Sequence, residues 1–303
     1  MAISDWVRLV CLSVLWGGSF FFVEVLLTEL PPLTAVLGRL SLGGLGLLAA
    51  LALLRQPFGP LMTQWRAFAI LGLVNTAIPF SLITFGQTLI TGSLASIINA
   101  MTPIMTVVFA HFLTTDERLT AGKLVGVSAG FAGVVVLIGP DALFGGSSVL
   151  GQLAGLTATA CYALGTIYAK RLKANPVSLN AAGQVCYSVL WLVPVVLVVE
   201  QPWRLAMPSA PVWAAWIGLG FLSTTVALFL FFRVLKGAGA SNAALVTFMV
   251  PVSASVLGYL FLEERLGSTE LLAYVLIVSG LLVIDGRLIE RLSKRRRTAH
   301  TST

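Results

Sequence analysis

The sequence predicts an all-α membrane protein of ten transmembrane helices, arranged as two inverted five-helix repeats. Three observations lead there: the composition, the spacing of the apolar runs, and an internal repeat. The 303 residues are 57% hydrophobic and only 10% charged, with a mean hydropathy of +0.96. Soluble domains carry about 25% charged residues, so lipid must be the solvent for much of this surface. The net charge of +7 is spread over short breaks between apolar runs and forms no basic domain, which excludes a nucleic-acid partner.

A spanning helix needs about 20 mainly apolar residues. Ten stretches qualify: 7–30, 33–54, 66–85, 93–113, 122–138, 150–169, 177–199, 212–232, 243–262 and 271–289. The first follows Arg8, as a signal peptide might, but it outlasts a typical apolar core of 7–15 residues and ends in Glu29, Pro31 and Pro32, so it is read as a retained helix. Pro31-Pro32 separates it from the second, and Arg55-Gln56-Pro57 closes the second. Asp116-Glu117-Arg118, Gly145-Gly146-Ser147, Asn175-Pro176, Pro208 to Pro211 and Gly237 to Gly239 punctuate the rest. Cys11, Cys161 and Cys186 fall inside apolar runs without CxxC or ligand spacing and read as small hydrophobes.

Lys and Arg concentrate in cytoplasmic loops. With the N-terminus inside, sixteen of the 19 basic residues lie in inside segments, against Arg204 and Arg265 outside and Arg39 within a helix. A missed or extra helix would destroy that asymmetry. The reading is therefore a multi-pass protein of the cell inner membrane with both termini cytoplasmic.

Sliding the chain by 148 positions sets Trp65 on Trp213, Gly72 on Gly220, Thr76 on Thr224, Ser93 on Ser241, Ala95 on Ala243, Met101 on Met249 and Pro103 on Pro251. After a one-residue slip, Glu117-Arg118-Leu119 meets Glu264-Arg265-Leu266. Five helices per copy is an odd number, so the second copy enters the membrane inverted. The expected units are 1–140, 141–290 and a basic cytoplasmic tail, 291–303.

Trp16-Gly17-Gly18-Ser19-Phe20, Pro31-Pro32 leading to Arg39, and Ala95 to Pro103 followed by Glu117-Arg118-Leu119, with their second-half echo, resemble the EamA family of the drug/metabolite transporter superfamily. The resemblance covers nearly the whole chain. It implies two inverted five-helix bundles, cytoplasmic termini, a central cavity lined mostly by helices one to four and six to nine, and export of metabolites such as amino acids. Glu24 departs from the family pattern, where that position is often basic.

Polar groups inside the membrane are the candidate site, because an ionised side chain mid-helix costs about 2.5–3.5 kcal/mol on insertion scales. Glu24 and Arg39 both sit roughly 9–10 Å below the outer ends of adjacent helices, so they read either as a structural ion pair or as cavity groups meeting a substrate. By an offset of 145, Arg39 matches Gln184, so symmetry does not demand the charge. Ser96, Asn99, Pro103 and Thr106 share one helical face, as do Gly72, Asn75 and Pro79, and the repeat adds Ser223 and Thr224. Pro103 and Pro251 are expected to kink their helices. Trp16, Ser19, Tyr162 and Tyr187 complete the cavity set, while Tyr168 and Trp191 are secondary. Glu24 and His111 are the candidate proton carriers.

No phosphate-binding GxxxxGK[ST] run occurs and no metal-ligand cluster is spaced for a metal, so no cofactor is expected. The implied partners are a small-molecule substrate and the bilayer, with the oligomeric state unset by sequence. The leading function is a secondary transporter working by alternating access. A channel, a flippase for a lipid-linked substrate, or a membrane-embedded enzyme are the alternatives, the last disfavoured by the presence of only two histidines.

Overall fold

The computed structural model describes residues 1, 3–90, 92–115, 120–138, 148–261, 272, 275–277, 279, 280 and 283. Among them every regular element is helical. In chain order these are α1 (Ile3–Leu27), α2 (Pro32–Leu53), the short α3 (Gly59–Thr63), α4 (Trp65–Gly72), α5 (Ile78–Gly86), α6 (Gly92–Asn99), α7 (Thr102–Leu113) and α8 (Ala121–Ile138). The second half supplies α9 (Val149–Ala169), α10 (Val177–Val199), α11 (Ala210–Gly220), α12 (Ala227–Ala238), α13 (Ala240–Ala244) and α14 (Val246–Phe261). The expected turn at 116–119, its echo at 264–266 and the tail 291–303 lie outside the described residues.

Among the described residues, five helical segments are long and apolar enough to cross a membrane: Ile3–Leu27, Pro32–Leu53, Trp65–Gly86, Val177–Val199 and Ala210–Ala238. Large apolar side chains point outward from them, with Leu53 84% and Val198 75% exposed. A surface of that kind is stable against lipid and not against water. Cys11 is exposed too, so it is not the buried hydrophobe the sequence suggests.

Two of these segments are not uniform. α4 runs into α5 through a π-helix, Leu73–Ala77, and α11 runs into α12 through another, Phe221–Val226. The two π-helices begin at positions related by the 148-residue offset. A π turn widens the helix by one residue and leaves carbonyls free for other donors. Thr224 Oγ1 donates back five residues to Leu219 O at 2.9 Å, and Thr225 Oγ1 donates to Gly220 O at 3.2 Å.

The fourth and ninth predicted spans are each split, between α6 and α7 and between α13 and α14. Only the first proline sits at its break. Pro103 opens α7, and Pro251 lies inside α14. Pro103 has no N–H to offer the Asn99 carbonyl four residues back, and the Thr102 hydroxyl supplies that bond instead at 2.7 Å.

Packing repeats across the two halves. α2 lies along α10, α2 packs on α11 as α10 packs on α4, and α1 contacts α12 and α14 as α9 contacts α5 and α7. Without a hydrophobic drive between helices in lipid, close backbone approach through small residues does the joining. A Cβ built on Gly72 would lie 2.6 Å from Gln184 O and 2.9 Å from Ser188 N; one on Gly220 would lie 3.2 Å from both Arg39 O and Gly43 N. Offsets of 148 and 145 map one contact onto the other. Near position 280, the last described stretch meets α8, where a Cβ on Gly280 would lie 2.5 Å from Gly126 O.

Two carboxylates tie the halves together at the opposite end from α3. Glu200, at the end of α10, accepts from Leu33 N at 2.9 Å, Thr34 N at 2.6 Å and Thr34 Oγ1 at 2.7 Å, capping the start of α2. Glu29 accepts from Ser209 N at 2.7 Å, just before α11. The Ser209 side chain and backbone bonds hold the Glu29 carboxyl below its ordinary range.

Candidate functional site

Between the halves lies a cavity of about 90 Å³ lined by α1, α2, α5 to α7, α9, α10, α12 to α14 and the first π-helix. Its one charged wall residue is Arg39, which is 8% exposed. α2 carries Arg39 toward the second π-helix, where Nε donates to Thr224 Oγ1 at 3.0 Å and Nη2 reaches Ser223 O at 3.4 Å. The guanidinium lies over the Phe80 ring, 4.1 Å from its centroid, a cation–π contact that helps offset removal from water. Tyr162 meets the edge of the same ring at 6.1 Å. Nη1 has no hydrogen bond from the described residues.

The pseudo-symmetric position repeats the arrangement without the charge. Gln184 Nε2 donates to Thr76 Oγ1 and Gln184 Oε1 accepts from Asn75 Nδ2 at 3.2 Å. Thr76 corresponds to Thr224 by the repeat and Gln184 to Arg39, so each π-helix offers a threonine hydroxyl to one long polar side chain of the other half. The cavity is therefore symmetric in scaffold and asymmetric in charge.

The opposite chemistry is also present. Asn75 Oδ1, Gln87 Oε1 and Asn99 Oδ1 are buried acceptors without a hydrogen-bond partner among the described residues, and all three residues line the cavity. A buried acceptor left unmade costs about 1–3 kcal/mol. Three in one cavity describe a place for a hydrogen-bond donor.

Of the residues singled out from sequence, Trp16, Ser19, Arg39, Asn75, Asn99, Tyr162 and Gln184 line this cavity. Trp16 Nε1 donates to Ser223 O at 3.2 Å and its ring faces Phe231 at 5.7 Å. Ser223 and Thr224 are buried behind Arg39 and hold it, outside the lining itself. Glu24 is exposed and no ion pair joins it to Arg39: α1 turns Val23 into the cavity and Glu24 away. Pro79, Ser96 and Pro103 are off the lining as well, Pro79 and Pro103 being buried in helix packing. Tyr187 anchors α10 to α3 instead, with its hydroxyl donating to Leu61 O at 3.0 Å and its ring stacked on Phe68. Trp191 likewise donates to Ala69 O at 3.0 Å. His111 sits in the last turn of α7 against the Phe112 ring, outside the cavity lining.

Phe80, Thr84, Gln87, Thr102, Thr166 and Phe231 line the cavity and were not singled out. Phe80, Thr84 and Gln87 recur at spacings of four and three, a helical face the sequence does display. Asn75 falls off that face by one residue, since the π-helix intervenes.

The sequence signature of the EamA-like transporter family matches residues 6–139 and again 149–285. A transporter of Bacillus subtilis (strain 168), YvbV, is 31% identical over 286 residues, covering 90% of this chain and 89% of its own. The protein PecM of Dickeya dadantii (strain 3937) is 26% identical over 287 residues, covering 93% and 92%. The inner membrane transporter YedA of Escherichia coli (strain K12) is 24% identical over 283 residues, covering 91% and 89%. A solved crystal structure shares the fold, with a TM-score of 0.74 at 20% identity over 93% of this chain and 97% of that one.

Proposed function

The chain belongs to the EamA-like transporter family and is a membrane transporter of the drug/metabolite type, and from that premise we propose that it is a secondary transporter that exports small zwitterionic metabolites, amino acids or related compounds, by alternating access. The observation that carries the substrate class is the division of one cavity into a guanidinium with an uncommitted Nη1 and three amide oxygens without donors. A carboxylate suits Arg39 and an ammonium suits the amide oxygens, each worth roughly 1.5–3 kcal/mol when charge-assisted in a dry site.

The family signature matching twice, the paired π-helices and the mirrored contacts of Gly72 and Gly220 support two five-helix repeats, 1–140 and 141–290, in a ten-helix chain. Rocking one repeat against the other around Arg39 and Gln184 is the corresponding mechanism. The basic residues support cytoplasmic termini, and the likeness to an inner membrane transporter supports that location.

The test is counterflow in proteoliposomes loaded with one unlabelled amino acid and offered the same compound labelled. Saturable accumulation that an N-acetylated or esterified analogue fails to compete supports the proposal. Non-saturable flux would identify a channel, and equal competition by analogues lacking either charge would end the zwitterion reading.

A further inference from the structure

Arg39 and Gln184 occupy equivalent seats that match from the backbone up. The Gln184 carbonyl lies against Gly72 and the Arg39 carbonyl against Gly220. Each side chain donates to a buried threonine of a π-helix, Gln184 to Thr76 and Arg39 to Thr224, and α10 contacts α12 as α2 contacts α5. Both side chains line the one cavity, Gln184 being 1% exposed.

The surroundings of the two seats differ together with the charge. The repeat offset of 148 sets Asn75 on Ser223 and Phe80 on Leu228. Beside Arg39 stand an acceptor, the Ser223 carbonyl, and the Phe80 ring under the guanidinium. In the other seat Asn75 presents a donor, Nδ2, to Gln184 Oε1 at 3.2 Å, and Leu228 takes the place of the ring on the cavity wall. A donor aimed at residue 184 opposes a cation there and is met by an amide oxygen, and an aliphatic side chain offers no cation–π contact. The second seat is thus built for a neutral residue. The bond to Gln184 also commits Asn75 Nδ2, so the atom of that amide left unpartnered is the acceptor Oδ1.

We propose that Gln184 is a specificity-determining residue: by keeping the second seat uncharged it restricts the cavity to substrates with a single carboxylate. This rests on the zwitterion reading above and adds to it that the substrate's side chain carries no acid. Arg39 supplies a counter-charge for one carboxylate; a second would enter a dry cavity unpaired, at a cost no other described lining residue offsets.

Proteoliposomes of the full-length protein are loaded with an isotope-labelled mixture of the standard amino acids and diluted into the same mixture unlabelled, and the label appearing outside is identified by mass spectrometry. The parent releases neutral amino acids, and glutamate and aspartate at least about tenfold more slowly. Gln184→Arg with Leu228→Phe, which completes the second seat, releases glutamate or aspartate about tenfold faster than the parent does. Gln184→Lys, a less bulky carrier of the charge, shifts release in the same direction, whereas Gln184→Leu, which removes the amide without adding charge, does not. Equal release of acidic and neutral amino acids by the parent overturns the inference while the zwitterion reading stands. So does release of the acids by Gln184→Leu, or cationic variants that still exclude the acids or transport nothing. Release of no amino acid by the parent, measured against protein-free vesicles, ends the zwitterion reading and this inference with it.

Discussion

Arg39 is the residue on which the cavity depends. Its Nε bond to Thr224 and its stacking on Phe80 need a planar guanidinium, which an ammonium does not reproduce. Arg39→Ala is expected to lower transport kcat/KM by about tenfold or more, with Arg39→Lys losing less, while both insert and purify; normal transport by the alanine variant would remove the residue from the site. Thr224→Val should raise KM, since it removes the acceptor that holds Arg39 Nε as well as the bond to Leu219 O. Glu24 leads to a different expectation. Because it is exposed and apart from Arg39, yield losses of Glu24→Gln and Arg39→Gln should add in the double variant; yield restored by combining them would indicate a pairing the structure lacks. The sequence exposes Arg39 because a charge in an apolar run is conspicuous, and repeat arithmetic even finds Thr76 and Thr224. It hides Phe80 and Thr102, whose residue types are ordinary in a membrane helix, and it misdirects Glu24, whose depth is legible but whose facing is not.

At the scale of elements, helix existence was plain from apolar length: the predicted 177–199 coincides with α10, and 33–54 differs from α2 by one residue at each end. The two π-helices were not legible, because no residue type marks a π turn and the widening is set by tertiary partners. Those partners are the polar side chains of α2 and α10 and the glycines that precede each π-helix. At Gly72 a methyl would meet backbone on α10 at 2.6 and 2.9 Å, and backbone cannot swing aside. Gly72→Ala should destabilise the protein by about 1–3 kcal/mol, read as a lower melting midpoint. Gly18→Ala is the control, since nothing lies within 4 Å of its added carbon. Equal midpoints for the two variants would mean that α4 and α10 slide apart freely, against the close packing described.

The whole molecule is held at one end by two carboxylates that cross between the halves, Glu29 to Ser209 and Glu200 to Leu33 and Thr34. Alternating access requires that one end open, and these bonds must then break. Glu29 makes its clasp sensitive to pH. The bonds from Ser209 lower the pKa of Glu29, so its contribution to stability is complete above the ordinary Glu value of 4.5 and is lost as pH falls through the lowered value. Acidification to pH 3 should therefore weaken this clasp, and Glu29→Gln should remove the Glu29 share of that sensitivity. Glu200 accepts three bonds and caps a helix, so Glu200→Gln should have the larger effect at neutral pH, about 1–2 kcal/mol. Weakening a clasp favours the conformation open at that end. A cysteine placed at Ser19, on the cavity wall, should then react faster with a membrane-impermeant maleimide added from the Glu200 side in the Glu200→Gln variant than in the parent. The parent in this comparison carries alanine at Cys11, Cys161 and Cys186. Faster reaction from the opposite side instead would place the gate at the other end of the bundle. An unchanged rate from both sides would make Glu200 a helix cap and nothing more.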